Sequence, residues 1–366
     1  MNTHKEQIST TQIVFMIILF EIGSSMLVSP GGDAGRDSWI AVLMGAILGL
    51  FGVLLFLWIQ RIAPKLDLIE MFLHSFGKPI GIVFGLLYFF YFSYEAMRNV
   101  RDLGELTSLS ILPLTPIYVT MLIFVLTASY LIWQGIEVIS RFPEIVLPIG
   151  LFIFFIIIFL LIAFGSVNFH ELTPILEDGF MPVINATIPS TLTLPFGQMI
   201  VFLMIWHKWN KPGAPVKGVL FSYSAVGLFL VFLNALMTSI LGPELYSIIF
   251  LPLIKSVRTL SNLKFIERLD ILVVLLLYFS LLMKMVLFYY CAVQTLVRLT
   301  AIQIKKWILP VSGFIYGTAF VERDLHEHLV WMKTSAYVFP IFQFGIPLIL
   351  FMTMMMKQHF RSNRSI

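Results

Sequence analysis

Charge is what this sequence most lacks. Only 12% of its 366 residues are Asp, Glu, Lys or Arg, against about 25% in a soluble globular protein. That leaves too little polar surface for a body facing water on every side. The apolar share is 59% and the mean hydropathy is +0.93, so lipid must surround much of the chain. A soluble enzyme, a disordered chain and a disulfide scaffold are excluded together. Cysteine is nearly absent. Cys291 stands alone and can form neither an internal disulfide nor a multi-thiolate metal site. The net charge of +4 comes without a Lys/Arg stripe interleaved with aromatics, which argues against nucleic acid. A basic excess is ordinary in cytoplasmic loops. Walker loops, nucleophile elbows and hydrolase carboxylate pairs are also missing. The expectation is therefore no enzyme, no cofactor and no metal; His326 and His328 form an H-x-H without further ligands.

What is present is a series of apolar runs. A span needs about 20 such residues, and about ten fit: Thr10 to Val28, Trp39 to Ile59, Pro79 to about Ser108, Pro116 to Trp133, Phe142 to Phe164, Ile188 to Trp206, Gly218 to Leu241, Ile271 to Val297, Trp307 to Phe320 and Ser335 to Met356. The ninth is short. The first lacks the basic flank and cleavage site of a signal peptide. With the N-terminus inside, inner segments hold 14 Lys and Arg against 7 in outer ones. That favours cytoplasmic N- and C-termini, with 357–366 as a cytoplasmic tail. Leu66, Ile69, Leu73 and Phe76 share a helical face, which predicts a short helix on the inner interface. Leu172, Ile175 and Leu176 suggest another in the outer loop.

Two spans carry breakers at mid-depth. Gly23, Ser24 and Ser25 follow the apolar run of the first span and its Glu21, and Pro195-Phe196-Gly197-Gln198 interrupts the sixth. Proline removes a helix hydrogen bond and glycine weakens the helix further. The freed backbone groups are tolerated only where protein or a cavity receives them. Ten spans split as five plus five, which puts one break on the first helix of each half. One of those helices runs inside to out and the other outside to in. This is the pattern of an inverted-repeat transporter with a midplane site. The expected architecture is a single all-α transmembrane domain over 1–366, with repeats at 9–165 and 186–356 and broken helices 1 and 6. A half-helix N-terminus after the first break would offer amides to an anion, and carbonyls opened at the second would take an ammonium. A pair of ordinary proline/glycine kinks is the alternative.

Gly23-Ser24-Ser25-Met26 resembles the Gly-Ser-Gly-Ile type motif of the amino acid–polyamine–organocation permeases, with Ser25 in place of the second glycine. A closer resemblance is to the permease-like B subunits of the Ger-type nutrient germinant receptors of endospore-forming bacteria. It rests on Ile8-Ser9, the polar turn Gly31 to Asp37 before Trp39, Phe76-Gly77-Lys78, Pro195-Phe196-Gly197, and Glu267-Arg268-Leu269-Asp270. The size and ten-span layout match over essentially the whole chain. Gln198 departs from a glutamate frequent in that family. The resemblance implies a LeuT/APC-like fold and a small nutrient, an amino acid, bound between helices 1 and 6. It also implies A and C subunits as partners and the endospore inner membrane as location.

Gly23, Ser24, Ser25, Met26, Pro195, Phe196, Gly197 and Gln198 are thus the candidate ligand site. Lys284, near the centre of the eighth span, is the sharpest intramembrane charge and a functional candidate. In the resembled fold helices 1 and 8 can hold a sodium ion, which its ammonium could replace; the alternative is a packing pair with Glu21 or Glu95. Glu21 and Glu95 are the accompanying coupling candidates. Glu95, Arg98, Arg101, Asp102 and Glu105 share about 120° of helix surface, but Asp102 and Glu105 are expected in a stub that emerges into water. Glu267, Arg268 and Asp270 fit either an interfacial ion-pair cluster or a partner or gating contact. A nutrient sensor and a proton- or cation-coupled amino acid permease remain the two function classes.

Overall fold

The computed structural model describes residues 7–164, 167–259 and 269–362. Among them the chain is helical apart from turns and one isolated bridge, Ile8 to Trp209. The helices are α1 (Thr10–Ser25), α2 (Ser38–Ile62), α3 (Leu68–Phe76), α4 (Lys78–Ser110), α5 (Ile117–Gln134), α6 (Ile136–Ala163), α7 (Met181–Ala186), α8 (Val216–Leu241), α9 (Pro243–Ile248), α10 (Pro252–Arg258), α11 (Leu269–Thr300), α12 (Ile304–Thr318), α13 (Leu325–Pro340) and α14 (Ile346–Ser362). Eight segments among the described residues are long and apolar enough to cross a membrane. α1 and α12, of 16 and 15 residues, take the places of the expected first and ninth spans. The protein is a multi-pass membrane protein.

Local chemistry explains the ends. Ser9 caps α1 in a reciprocal box with Gln12, and Asp67 does the same for α3 with Glu70, so each pair satisfies two orphan amides. α3 is the short helix expected between the second and third spans. It buries Leu68, Ile69, Met71 and Phe72, and Phe72 stacks on Phe84 of α4 at 5.2 Å. Arg298, near the end of α11, ties it down through Asp67 at 2.6 Å and Glu70 at 3.1 Å. Burial pushes the Asp67 carboxyl above its ordinary value, against the pull of Arg298.

α11 is the central post, packed against α1, α4, α5 and α12. α2 lies across the sixth span. Side chains added at Gly45 and Gly49 would collide with Thr191, Phe196 and Tyr223, so these glycines let the two backbones approach. Bulky side chains such as Phe152, Phe155 and Phe159 of α6 face outward, as lipid contact requires.

Four expectations need correction. The first span is interrupted, but α1 stops at Ser25 and no regular half-helix comes after it. Proline disfavours helix in the residue before it, and Pro30 precedes a left-handed Gly31 at φ +69°. The chain therefore turns and runs through a 3-10 segment, Gly32–Asp37, into α2, so the half-helix amides expected for an anion are not formed. The sixth span starts earlier, at Met181. It passes through α7, a π-helical stretch Thr187–Thr191, a turn at Pro195 and a 3-10 run Phe196–Met204. The tenth begins at Leu325, where Asp324 caps α13, and is split from α14 by a π-turn, Ile341–Gly345. Lastly, α4 has 33 residues, roughly 50 Å of helix. Its far end is no stub in water, because Arg98, Arg101, Asp102 and Glu105 are all buried. The loop before the sixth span forms, among its described residues, only a short 3-10 turn, Phe169–Leu172, and Asp37 accepts the Leu176 amide at 3.1 Å.

Candidate ligand-binding site

The interrupted spans, α4, α11 and the tenth span cross at one level, and buried polar side chains meet there. Gly23 faces α11 so closely that an added Cβ would lie 3.2 Å from both Lys284 Cδ and the Ser280 carbonyl. The lysine stem runs past it. Its ammonium donates to Ser24 Oγ at 2.7 Å and stands 5.1 Å from the centre of the Phe20 ring. Ser25 Oγ donates back to the Glu21 carbonyl. The Glu21 carboxylate is fully buried with both oxygens free of hydrogen bonds among the described residues, and Lys284 is the charge acting on it.

On the far side of α11, Gln198 Nε2 donates to Glu95 Oε2 at 2.8 Å. Gln343 in the π-turn donates to Tyr91 Oη at 3.0 Å and the Thr193 carbonyl at 3.2 Å. Its side chain fills the place where a Cβ on Gly197 would go. Tyr88 Oη donates to the Phe342 carbonyl at 2.6 Å, and Tyr91 stacks on Phe342. The tenth span is thereby pinned to α4 and the sixth-span break at once.

Toward the end of the bundle opposite the chain termini, the interrupted spans, α4 and the tenth span line a cavity of about 720 Å³. A small-molecule pocket is typically about 300–1,000 Å³. Its walls are Val28 to Gly35 after α1, Ala186 to Gln198 of the sixth span, α9, and the Leu329–Phe339 face of α13. Arg98 of α4 and Gln198 also line it. At the rim, Lys333 pairs with Asp33 at 3.5 Å.

Of the sequence-derived ligand candidates, only Gln198 lines this cavity. Gly23 and Ser24 lie against Lys284, Ser25 and Met26 line a second void of about 20 Å³, and Phe196 packs on α2 and Tyr223. Pro195 forms the turn, and Gly197 faces Gln343. The coupling candidates do converge: Glu21 and Glu95 both act on Lys284. Asp270 pairs with Arg258 at 3.3 Å, while Glu267 and Arg268 lie outside the described residues.

Sequence reasoning missed a second cluster above the first. His328, fully buried, faces Asp102 at 2.8 Å through Nε2 and Glu322 at 2.6 Å through Nδ1. Arg101 forks onto Glu105 at 3.0 and 2.7 Å and reaches the Glu322 carbonyl at 2.8 Å. It binds α4 to the start of α13. The shared helical face of these α4 residues was the available signal. Arg98 was missed as a cavity residue, although it sits on that face.

Comparison with known proteins agrees with this architecture. A family model for spore permeases, described as "Spore germination protein", matches residues 7–328. Spore germination protein KB of Bacillus subtilis (strain 168) is 30% identical over 97% of this chain and 96% of its own length. Spore germination protein A2 of the same organism is 23% identical, covering 96% of each chain. Among solved structures, Mhp1, a nucleobase-cation-symport-1 family transporter in a closed conformation with bromovinylhydantoin bound, superposes with a TM-score of 0.66 at 14% identity, over 95% of this chain and 78% of that one. The fold is therefore a LeuT-like transporter fold. The chain belongs to the spore permease family of spore germination proteins.

Proposed function

We propose that this protein is the transmembrane nutrient-sensing subunit of a spore germinant receptor. A small nutrient, an amino acid, enters the cavity between the ends of the two interrupted spans. The observation that carries this reading is the cavity itself. It is walled by Val28–Gly35 and Ala186–Gln198, the two stretches where helix gives way, and it sits directly over the buried polar crossing. Occupancy would be felt by Gln198, which holds Glu95, and passed to Lys284 and Ser24 on α11 and α1. A ligand shifts such an equilibrium only by its differential affinity for the two states. The signal then passes to A and C subunits in the endospore inner membrane, with both termini cytoplasmic and the two five-helix repeats, 9–165 and 186–356, moving against each other.

A proton- or cation-coupled amino acid permease is the second reading. Two buried carboxylates with oxygens lacking hydrogen bonds, Glu21 and Glu95, favour it. The test is paired binding and uptake of labelled amino acids and other nutrients in vesicles holding the purified protein. Saturable binding without uptake supports the sensor. Uptake that tracks binding and responds to a proton gradient would replace it with the permease.

A further inference from the structure

We infer that Arg98 anchors the carboxylate of the ligand, so that the cavity selects a small carboxylic acid with a largely apolar body. This rests on the cavity being the nutrient site. Arg98 is 4% exposed yet lines the cavity. It donates no hydrogen bond among the described residues. Its Nε is buried without a partner, and its ion pair to Glu95 is long, at 3.9 Å. A buried guanidinium left in this state is costly and calls for a partner.

The carboxylates around it have other partners, although Glu95 keeps Oε1 without a hydrogen bond among the described residues. Glu95 takes the Gln198 amide at 2.8 Å, Asp102 takes His328 Nε2 at 2.8 Å, and Glu322 takes His328 Nδ1 at 2.6 Å. The neighbouring Arg101 spends its fork on Glu105 and the backbone. One turn away, Arg98 keeps its fork unspent and faces open space. A guanidinium matches a carboxylate with two parallel charge-assisted hydrogen bonds. In the same cavity α13 presents Leu329, Met332, Ala336 and Phe339, which suits an apolar remainder, while Ser190, Thr191 and Thr193 of the sixth span supply hydroxyls on another wall.

The test uses the full chain in lipid nanodiscs with tritiated L-alanine and L-leucine. Their amides and amino alcohols serve as competitors, and labelled glucose is the neutral nutrient. A charge-assisted bidentate contact predicts that amide and alcohol bind roughly 10–100-fold more weakly than the acid. Arg98→Gln should erase that difference, and Arg98→Lys should keep part of it. Acid, amide and alcohol binding within about threefold of one another in the unaltered protein would overturn the anchor, and this comparison needs no variant to fold. An acid preference that survives in Arg98→Gln would also overturn it, leaving Arg98 as a countercharge. Saturable glucose binding with no acid binding would sink the anchor while the cavity reading stands. Failure of every probe would remove both.

Discussion

Lys284→Met removes one charge from the middle of the bundle and keeps nearly the same volume. The lost contacts can be read off the structure. Ser24 Oγ loses a 2.7 Å donor, and the Phe20 ring loses a cation. Glu21, fully buried and without hydrogen bonds to its carboxylate, loses the charge that acts on it. Glu21 accepts no bond from the ammonium, so the cost should fall below the ~3–5 kcal/mol of breaking a buried pair in contact. Much of that cost should vanish when Glu21→Gln is added. Two singles and the double then form a cycle with a coupling of about 0.5–3 kcal/mol. The assay is reversible unfolding in nanodiscs, with ligand response in spores measured alongside. A single variant as stable as the parent would refute the pairing. So would a double variant no more stable than Lys284→Met. On the proposed reading the same variant keeps ligand binding but blunts the response, and an unchanged dose dependence would make the lysine purely structural.

Gly197→Val should abolish the ligand response while leaving assembly intact, because its side chain must displace Gln343, which ties Tyr91 to Thr193; ligand binding by the folded variant checks it. Gly23→Val should act alike by pushing on Lys284 and the Ser280 carbonyl. Arg298→Ala should free α3, since Asp67 and Glu70 lose a shared partner; hydrogen exchange across 68–76 should rise with little change in α4. His328→Ala should destabilise the fold by about 3–5 kcal/mol, as it strands Asp102 and Glu322, and Asp102→Asn in that background should recover part of the loss, measured by unfolding.

Apolar runs of about 20 residues carry their own signal, so the positions of the spans could be read before the fold was known. Small and breaking residues marked both interruptions for the same reason. The path of the chain beyond each interruption is decided by residues farther along. The turn after Ser25 depends on Pro30 and the left-handed Gly31, which read on their own as an ordinary loop. Polar residues diluted two segments enough to hide them. Glu327, His328 and Lys333 masked the start of α13, although the chain buries one of them and leaves another at the cavity rim. The α4 face from Glu95 to Glu105 looked like a helix leaving the membrane. A strip of five charges within about 120° fits equally well with burial against protein, and only the position of Glu322 and His328 decides between the two. Arg98 went unrecognised as a cavity residue for that reason: its surroundings come from distant stretches of the chain, the ends of the interrupted spans and α13.

Sensing and carrying differ in what the centre of such a fold must do. A symporter releases its coupling ion on each cycle, so the ion site has to empty. On the proposed reading the cation at the α1–α11 crossing is the Lys284 ammonium, which is covalently part of α11. It can shift its weight among Ser24, Glu21 and Glu95, the groups that bond it or act on it, but its nitrogen cannot leave; only a proton can. Unless a proton is exchanged at this crossing, nothing drives the bundle round a cycle except the nutrient's own binding energy. To take the bundle from about 1:99 to 99:1, the nutrient must bind one state roughly 10⁴-fold tighter than the other, about 5.5 kcal/mol. Contacts at the Gln198 end of the cavity that form in one state only must supply that difference, including whatever it costs to break the Gln198–Glu95 bond. A tethered cation thus suits a two-state reporter, and gradient-driven uptake in the vesicle assay would show that the tether does not prevent cycling.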